Sequence, residues 1–263
     1  LRKDIHEGSI MSPKEILLSN YTTPEYTITH VVLSFKLDPR ATLVKSSLTI
    51  KLNTISSPNP PLILHGEDLK LLSVTVDGKL LNKTQFKASS GKLEIPYETI
   101  KKNNFNLECH TEINPEKNTS LEGLYLSNGV YCTQCEPEGF RKITYYLDRP
   151  DVLAKFRVRI EGDKKYLLSN GNLKKTGTGW AEWEDPWPKP SYLFALVGGN
   201  LMVVEDMFKT MSGKEVILQI YVEPGDENKC AHAMNSLKHS MSWDEQEYGR
   251  EYDLDRFMIV AIQ

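Results

Sequence analysis

The chain has 263 residues, 40% of them apolar and 25% charged, with a formal net charge of −3. That length accommodates one large β domain or two ordinary ones, and the composition is that of a globular protein. The charge balance and the lack of a long basic run argue against nucleic-acid or membrane-surface partners, while the longest apolar runs, 192–197 and 257–262, are far shorter than the roughly 20 residues that span a bilayer.

The first fifteen residues, LRKDIHEGSIMSPKE, carry basic side chains but no apolar stretch, so they do not read as an intact secretory signal. From Pro24 to about Leu201 the dominant rhythm is two. Val31, Leu33, Phe35 and Leu37 fall on one face of a strand, and Phe105, Leu107, Cys109, Thr111 and Ile113 repeat the pattern. Val74, Thr75 and Val76, then Asp77-Gly78, then Lys79 and Leu80, predict a hairpin, because Asp-Gly readily adopts the positive φ angles of a tight turn. Phe156, Val158 and Ile160 form another alternating strand, closed by Glu161-Gly162-Asp163, and Asn170-Gly171 turns the chain after 166–169. Short strands separated by such signals predict an antiparallel β domain, a sandwich or an open curved sheet.

The stretch 185–190, DPWPKP, is too proline-dense for a central strand, and it introduces an apolar strand over 192–197. Trp180, Trp183 and Trp187 surround it and read as packing at a junction, with an aromatic-ligand platform as the alternative. Strand-like segments follow at 201–205 and 216–221. The period then changes: Cys230, Met234, Leu237, Met241 and Tyr248 share one face of a helix of about five turns. Asp226 is its expected N-cap and Gly249 its stop. A short buried strand over 257–261 closes the chain.

Four cysteines (Cys109, Cys132, Cys135, Cys230) do not make a disulfide framework in a chain this long. Cys132-Thr-Gln-Cys135 has the CxxC spacing of redox and zinc sites, but Cys109-His110 is a poor second ligand pair, so buried or incidental thiols are expected. Reduced thiols suit a cytoplasmic location. Sequons at Asn20, Asn82 and Asn118 matter only in a secreted protein.

Zinc hydrolysis needs H-E-x-x-H, two histidines one turn apart on a helix. The one His-Glu pair, His6-Glu7, has Ile10 where the second histidine belongs. His232 and His239 are two turns apart, too far to share a metal directly. There is no G-x-S-x-G nucleophile elbow, no recognisable cysteine-nucleophile signature and no P-loop. The expectation is no catalytic residue and no metal ligand within the chain.

The segment 119–156, TSLEGLYLSNGVYCTQCEPEGFRKITYYLDRPDVLAKF, resembles the aminopeptidase N family of zinc metallopeptidases in its bacterial type. LHGEDLKLLSV (64–74), LLSNGNL (167–173), DPWPKPSYLFALVGGN (185–200) and MNSLKHSMSWDEQEYGREYDLDRFMIVA (234–261) extend the resemblance in the same order. It implies a saddle-like antiparallel β-sandwich domain over 1–200, followed over 201–263 by the start of a thermolysin-like α+β catalytic domain. It also implies a full-length zinc enzyme that releases N-terminal residues from peptides, with G-A-M-E-N and H-E-x-x-H beyond Gln263. Zinc would then be bound by the remaining domains of the same polypeptide and not by this chain, which alone would be inactive.

Gln134-Cys135-Glu136-Pro137 looks like the family's Q-x-E-P loop. By that match Glu136 binds the substrate's N-terminal ammonium and Gln134 lines the pocket for the first side chain. Tyr131, Cys132, Thr133 and Cys135 are supporting positions, and Arg141, Tyr145, Tyr146, Asp148 and Arg149 organise the loop. Two rival readings remain: a non-catalytic β-sandwich binding module derived from the family, and an epoxide-hydrolysing relative of the leukotriene hydrolase type. The close bacterial-type match over 132–156 argues against the latter. A shortened catalytic domain is further expected to leave an apolar face exposed around 257–262 and on the Met234, Leu237 and Met241 stripe.

Overall fold

A computed structural model describes residues 17–53 and 57–262. His6 and Glu7 lie outside them. The first strands are β1 (Tyr26–Lys36) and β2 (Thr42–Leu52), followed by β3 (Leu62–Gly66) and β4 (Lys70–Val76). In β1 the buried positions change parity, from Tyr26 and Ile28 to Val31, Leu33 and Phe35, because a bulge between Ile28 and His30 adds one residue. All five therefore stay on the core face. Asp77 and Gly78, at φ 46° and 79°, turn β4 into β5 (Lys79–Leu80), the predicted two-residue hairpin. Then come β6 (Lys87–Ser89), β7 (Gly91–Ile95), the single turn α1 (Tyr97–Ile100) and β8 (Asn104–Ile113).

Next come β9 (Gly123–Ser127) and β10 (Val130–Gln134), then β11 (Ala154–Glu161), β12 (Tyr166–Ser169), β13 (Asn172–Gly177), β14 (Trp180–Lys189) and β15 (Leu196–Gly199). The largest sheet has the order β13-β14-β11-β1-β2-β8-β4-β5 and is antiparallel except where β1 lies parallel to β11. Its register aligns one row, Trp183, Val158, Leu33, Ser46, Cys109 and Val74, across six strands. Every member is buried, and each large apolar one contributes about 1.5–3 kcal/mol. The smaller sheets β12-β15-β10-β9 and β3-β7-β6 supply further residues of the same core.

Residues 139–148 are pinned to the large sheet by buried polar contacts. The Thr144 and Ser46 hydroxyls are 2.9 Å apart, and Thr111 Oγ1 donates to the Ile143 carbonyl at 3.2 Å. A bridge between His65 and Tyr146 fastens the same segment to β3.

Around the proline-rich stretch the strands differ from the sequence-based expectation. The proline-rich stretch belongs to β14, through Lys189. It is tolerated because β13 pairs no further than Glu184 and a bulge interrupts β11 between Ala154 and Phe156, so Pro186 and Pro188 remove few ladder bonds. The apolar run 192–197 is not one strand: Ser191–Leu193 form a 3₁₀ turn, Leu193 is exposed, and β15 begins at Leu196.

The rest of the chain builds a second core. The three-stranded sheet β16-β17-β18 contains β16 (Met202–Lys209), β17 (Glu215–Val222) and β18 (Arg256–Val260), with α2 (Ala231–Tyr248) between β17 and its parallel neighbour β18. Met234, Leu237 and Met241 do not form an exposed stripe; with Cys230 they pack on Val216, Leu218, Ile220 and Val222. Tyr248 leaves this face, is exposed, and sets its ring edge-on to Trp243 at 5.3 Å. Gly249, at φ 60°, stops the helix as predicted. Asp226 instead precedes the 3₁₀ turn Glu227–Lys229, and Cys230 occupies the N-cap without a side-chain cap bond. The last strand, β18, is half-buried throughout, an edge strand and not a buried one. The two cores adjoin where the Tyr166 and Tyr221 rings meet at 5.0 Å and Arg256 lies 5.5 Å over Trp183. Trp183 thus packs at the junction, whereas Trp187 is half exposed. Among the described residues no helix is long and apolar enough to cross a membrane.

Candidate functional site

The loop that follows β10 gathers the predicted site residues. Asn128 and Gly129, at φ 48° and 78°, form the two-residue turn that pairs β9 with β10. This ladder ends at Gln134 opposite Gly123. Cys135 turns into the core while Gln134 and Glu136 face outward. The Glu136–Pro137 bond is cis. The chain then closes on itself, with Gly139 N–H donating to the Cys135 carbonyl at 2.8 Å, and enters the 3₁₀ turn Gly139–Lys142. Only glycine fits at 139, since a Cβ there would lie 2.3 Å from the Gln134 carbonyl oxygen and 2.9 Å from Gly123 N.

Gln134 and Glu136 are brought together directly: Gln134 Nε2 donates to the Glu136 carbonyl oxygen at 3.0 Å. That bond holds the main chain of Glu136 and leaves its carboxylate outward. The nearby cations are engaged with other acids. Arg141 pairs with Glu138 at 3.1 Å, Asp148 at 3.1 Å and Glu67 at 3.7 Å. Lys142 pairs with Glu122 at 3.0 Å and Asp68 at 3.7 Å, and its pKa is raised chiefly by the Glu122 hydrogen bond. Among the described residues Glu136 makes no ion pair.

The supporting positions have structural work. Tyr131, Cys132 and Cys135 are buried, and Thr133 Oγ1 accepts from Leu196 N–H at 2.9 Å to extend the β10–β15 edge. Burial raises the pKa of both CxxC thiols, and all four cysteines are unpaired, so neither Cys132 nor Cys135 is an activated nucleophile. Among the described residues no group of three or more His, Cys, Asp or Glu side chains is placed to hold a metal ion. The described residues therefore offer no donor set that fits a zinc ion.

Beneath the loop lies a polar hub. Asp148 Oδ2 accepts from Arg141 N–H and Nε, both at 3.1 Å, and Oδ1 accepts from Ser191 Oγ at 2.6 Å. The Asp148 N–H donates to His65 Nδ1 at 3.2 Å. Burial lowers the His65 pKa first, and the Arg141 guanidinium lowers it further. Phe140 sits on Tyr146, Phe156 and Phe194 at ring distances of 4.9, 6.0 and 5.3 Å. Tyr146, fully buried, has a hydroxyl without a protein partner, and its pKa is pushed up by burial. Arg149 pairs instead with Asp151, at 2.7 Å, on the side of Tyr21. His65, Glu67 and Ser191 are the members of this site that sequence reading missed. They lie far along the chain from the loop; the resemblance covers their segments, 64–74 and 185–200, but gives none of the three a place at the site.

Gln134 and Glu136 stand on an open surface. A cleft of about 210 Å³ between β15 and β18, lined by Asn170, Tyr252, Arg256 and Phe257 among others, does not include them.

Aminopeptidase N of Caulobacter vibrioides is 46% identical over 259 residues, 96% of this chain and 29% of that protein. Aminopeptidase N of Escherichia coli is 47% identical over 251 residues, 92% of this chain and 28% of that protein. The chain therefore spans less than a third of these relatives. The solved aminopeptidase A of Legionella pneumophila, in complex with aspartic acid, superposes with a TM-score of 0.85 at 35% identity, covering 92% of this chain and 29% of that one. Native yeast LTA4 hydrolase shares the fold at a TM-score of 0.73 and 18% identity, covering 90% of this chain and 38% of that one. The peptidase M1 N-terminal domain matches residues 18–193, and with that match the chain belongs to the peptidase M1 family.

Proposed function

We propose that this chain supplies the amine-recognition surface of a zinc-dependent aminopeptidase, in which Glu136 accepts charge-assisted hydrogen bonds from the substrate's N-terminal ammonium and Gln134 borders the first side chain. The observation that carries this reading is a carboxylate held outward on a fixed main chain while Arg141 and Lys142 are paired with other acids. An α-amino group has a pKa of about 7.7–8.0, so much of it is cationic near neutrality. A carboxylate without a competing cation is a suitable acceptor for it.

The reading places residues 1–200 in an N-terminal β domain and 201–263 at the start of a thermolysin-like catalytic domain. The separate packing of Val216, Leu218, Ile220 and Val222 beneath α2 supports that division. The zinc ligands and the group that activates water belong to the remaining domains of the same polypeptide, which would also close the substrate pocket over Gln134 and Glu136. Peptides with a free N-terminus are the proposed substrates, and the 263 residues alone are expected not to hydrolyse them. Four unpaired thiols suit a reducing compartment, and on that ground we place the enzyme in the cytoplasm.

The test is Glu136→Ala in the complete enzyme. Removing a hydrogen bond to a charged group costs about 1.5–3 kcal/mol, which lowers kcat/KM by about one to two decades. Bound zinc stays at the wild-type level. Unchanged activity on aminoacyl substrates would overturn the assignment.

A further inference from the structure

Asp148 joins three parts of the chain under the Gln134–Glu136 loop. Its side chain is 1% exposed, and its carboxylate receives Ser191 Oγ at 2.6 Å on one oxygen and the main-chain N–H and Nε of Arg141, both at 3.1 Å, on the other. Its own main chain is engaged as well: the carbonyl accepts from Arg141 Nη2 at 3.1 Å, and the N–H donates to His65 Nδ1 at 3.2 Å. Arg141 then reaches the surface, where Nη1 pairs with Glu138 at 3.1 Å and Glu67 at 3.7 Å.

Glu138 is two residues beyond Glu136, across Pro137. The loop is thus held at both ends. The β10 ladder and the Gln134 side chain fix the entering end, and Arg141 fixes the leaving end. Arg141 itself is held by Asp148. A guanidinium this close to the core needs a buried counter-charge to remain there. Without one, Glu138 and Glu67 are its remaining carboxylate partners, and both are more exposed than Asp148. The guanidinium would move outward, and the main chain from Glu136 to Glu138 would lose its side-chain anchor, leaving that end to the Gly139 N–H bond to the Cys135 carbonyl.

We infer that Asp148 is a positioning residue for amine recognition, acting through Arg141 and Glu138 on the placement of Glu136. This rests on the reading that Glu136 binds the substrate amine. An ion pair that only stabilised the fold would weaken every ligand alike. One that aims Glu136 must weaken ligands with an α-amine selectively.

The test uses the full-length enzyme and two competitors of peptide hydrolysis, L-leucinamide and its des-amino analogue 4-methylpentanamide. The wild type should prefer the amine-bearing competitor. Asp148→Asn preserves the shape, since the amide can accept from Arg141 and donate to Ser191, but it removes the charge. Because misplacing a group near the reacting centre is costly, the preference should shrink about tenfold, with the des-amino compound unaffected. Arg141→Lys should act in the same direction and carries the test if Asp148→Asn fails to fold. In a Glu136→Ala background, Asp148→Asn should cause no further loss of preference.

An unchanged preference in folded Asp148→Asn or Arg141→Lys, or a parallel loss for both competitors, overturns the inference while leaving Glu136 in its role. An unchanged preference in Glu136→Ala itself overturns the amine reading, and this inference with it.

Discussion

Gln134 donates its side-chain amide to the carbonyl oxygen of Glu136 at 3.0 Å, so the two residues that face outward at the end of β10 are mechanically one unit. The consequence is that Gln134 acts on Glu136 as well as on whatever lies beside it. Gln134→Ala should lower kcat/KM of the complete enzyme about three- to tenfold, the scale of one neutral hydrogen bond. Its thermal midpoint should stay near the wild-type value, because the lost bond is exposed. Steady-state kinetics beside a melting curve check both parts.

Gly139 is a steric prediction. An added methyl would stand 2.3 Å from the Gln134 carbonyl oxygen, a main-chain atom that cannot rotate away. Gly139→Ala should destabilise the fold by about 1–3 kcal/mol, the cost of overpacking a tight site. It should also impair activity more than Gln134→Ala, because the displaced strand end leads directly into the loop that carries Glu136. Equilibrium unfolding in urea measures the first effect.

The His65 imidazole gives a pH dependence of known sign. Burial and then Arg141 lower its pKa, while Asp148 and Glu138 oppose the shift and Arg149 adds to it. A lowered folded-state value means that the unfolded chain binds the proton more readily. Stability is therefore full above the ordinary imidazole pKa of about 6.5 and is lost as pH falls below it. A neutral Nδ1 is also what the Asp148 N–H needs as its acceptor. His65→Asn, which can offer an oxygen in the same place, should lose less stability than wild type between pH 7.5 and 5.5. Urea titrations at those two pH values decide it, and equal losses would count against the assignment.

The second core can be probed through α2. Leu237 is buried against β17, and Leu237→Ala should cost about 2–5 kcal/mol by removing packed methyl groups. Tyr248, on the same helix but exposed, should tolerate Ala within about 0.5 kcal/mol. Reversal of that order in denaturant unfolding would show that the helix does not pack as described.

Much of the architecture was legible in the chain because its causes are local. Asp77-Gly78 becomes a two-residue turn since its positive φ angles need no distant partner. Gly249 ends α2 for the same reason, and the spacing of Met234, Leu237 and Met241 defines a face that any apolar surface could cover. Gln134 and Glu136 meet for an equally local reason, because they are two residues apart and the amide of one reaches the carbonyl of the other.

Tertiary structure decided what depends on who the neighbours are. Pro186 and Pro188 sit within β14 because β13 ends and β11 bulges beside them, which no pattern in 185–190 reveals. Tyr248 falls on the predicted helix face yet is exposed, because it lies at the last residue of α2 and packs on Trp243 instead of the core. Asp148 meets Ser191 and His65 across 43 and 83 positions of chain. Periodicity and turn propensity report the conformational preferences of a residue and its near neighbours. Which distant groups share a buried charge is set by sheet register and by the cost of leaving that charge unpaired.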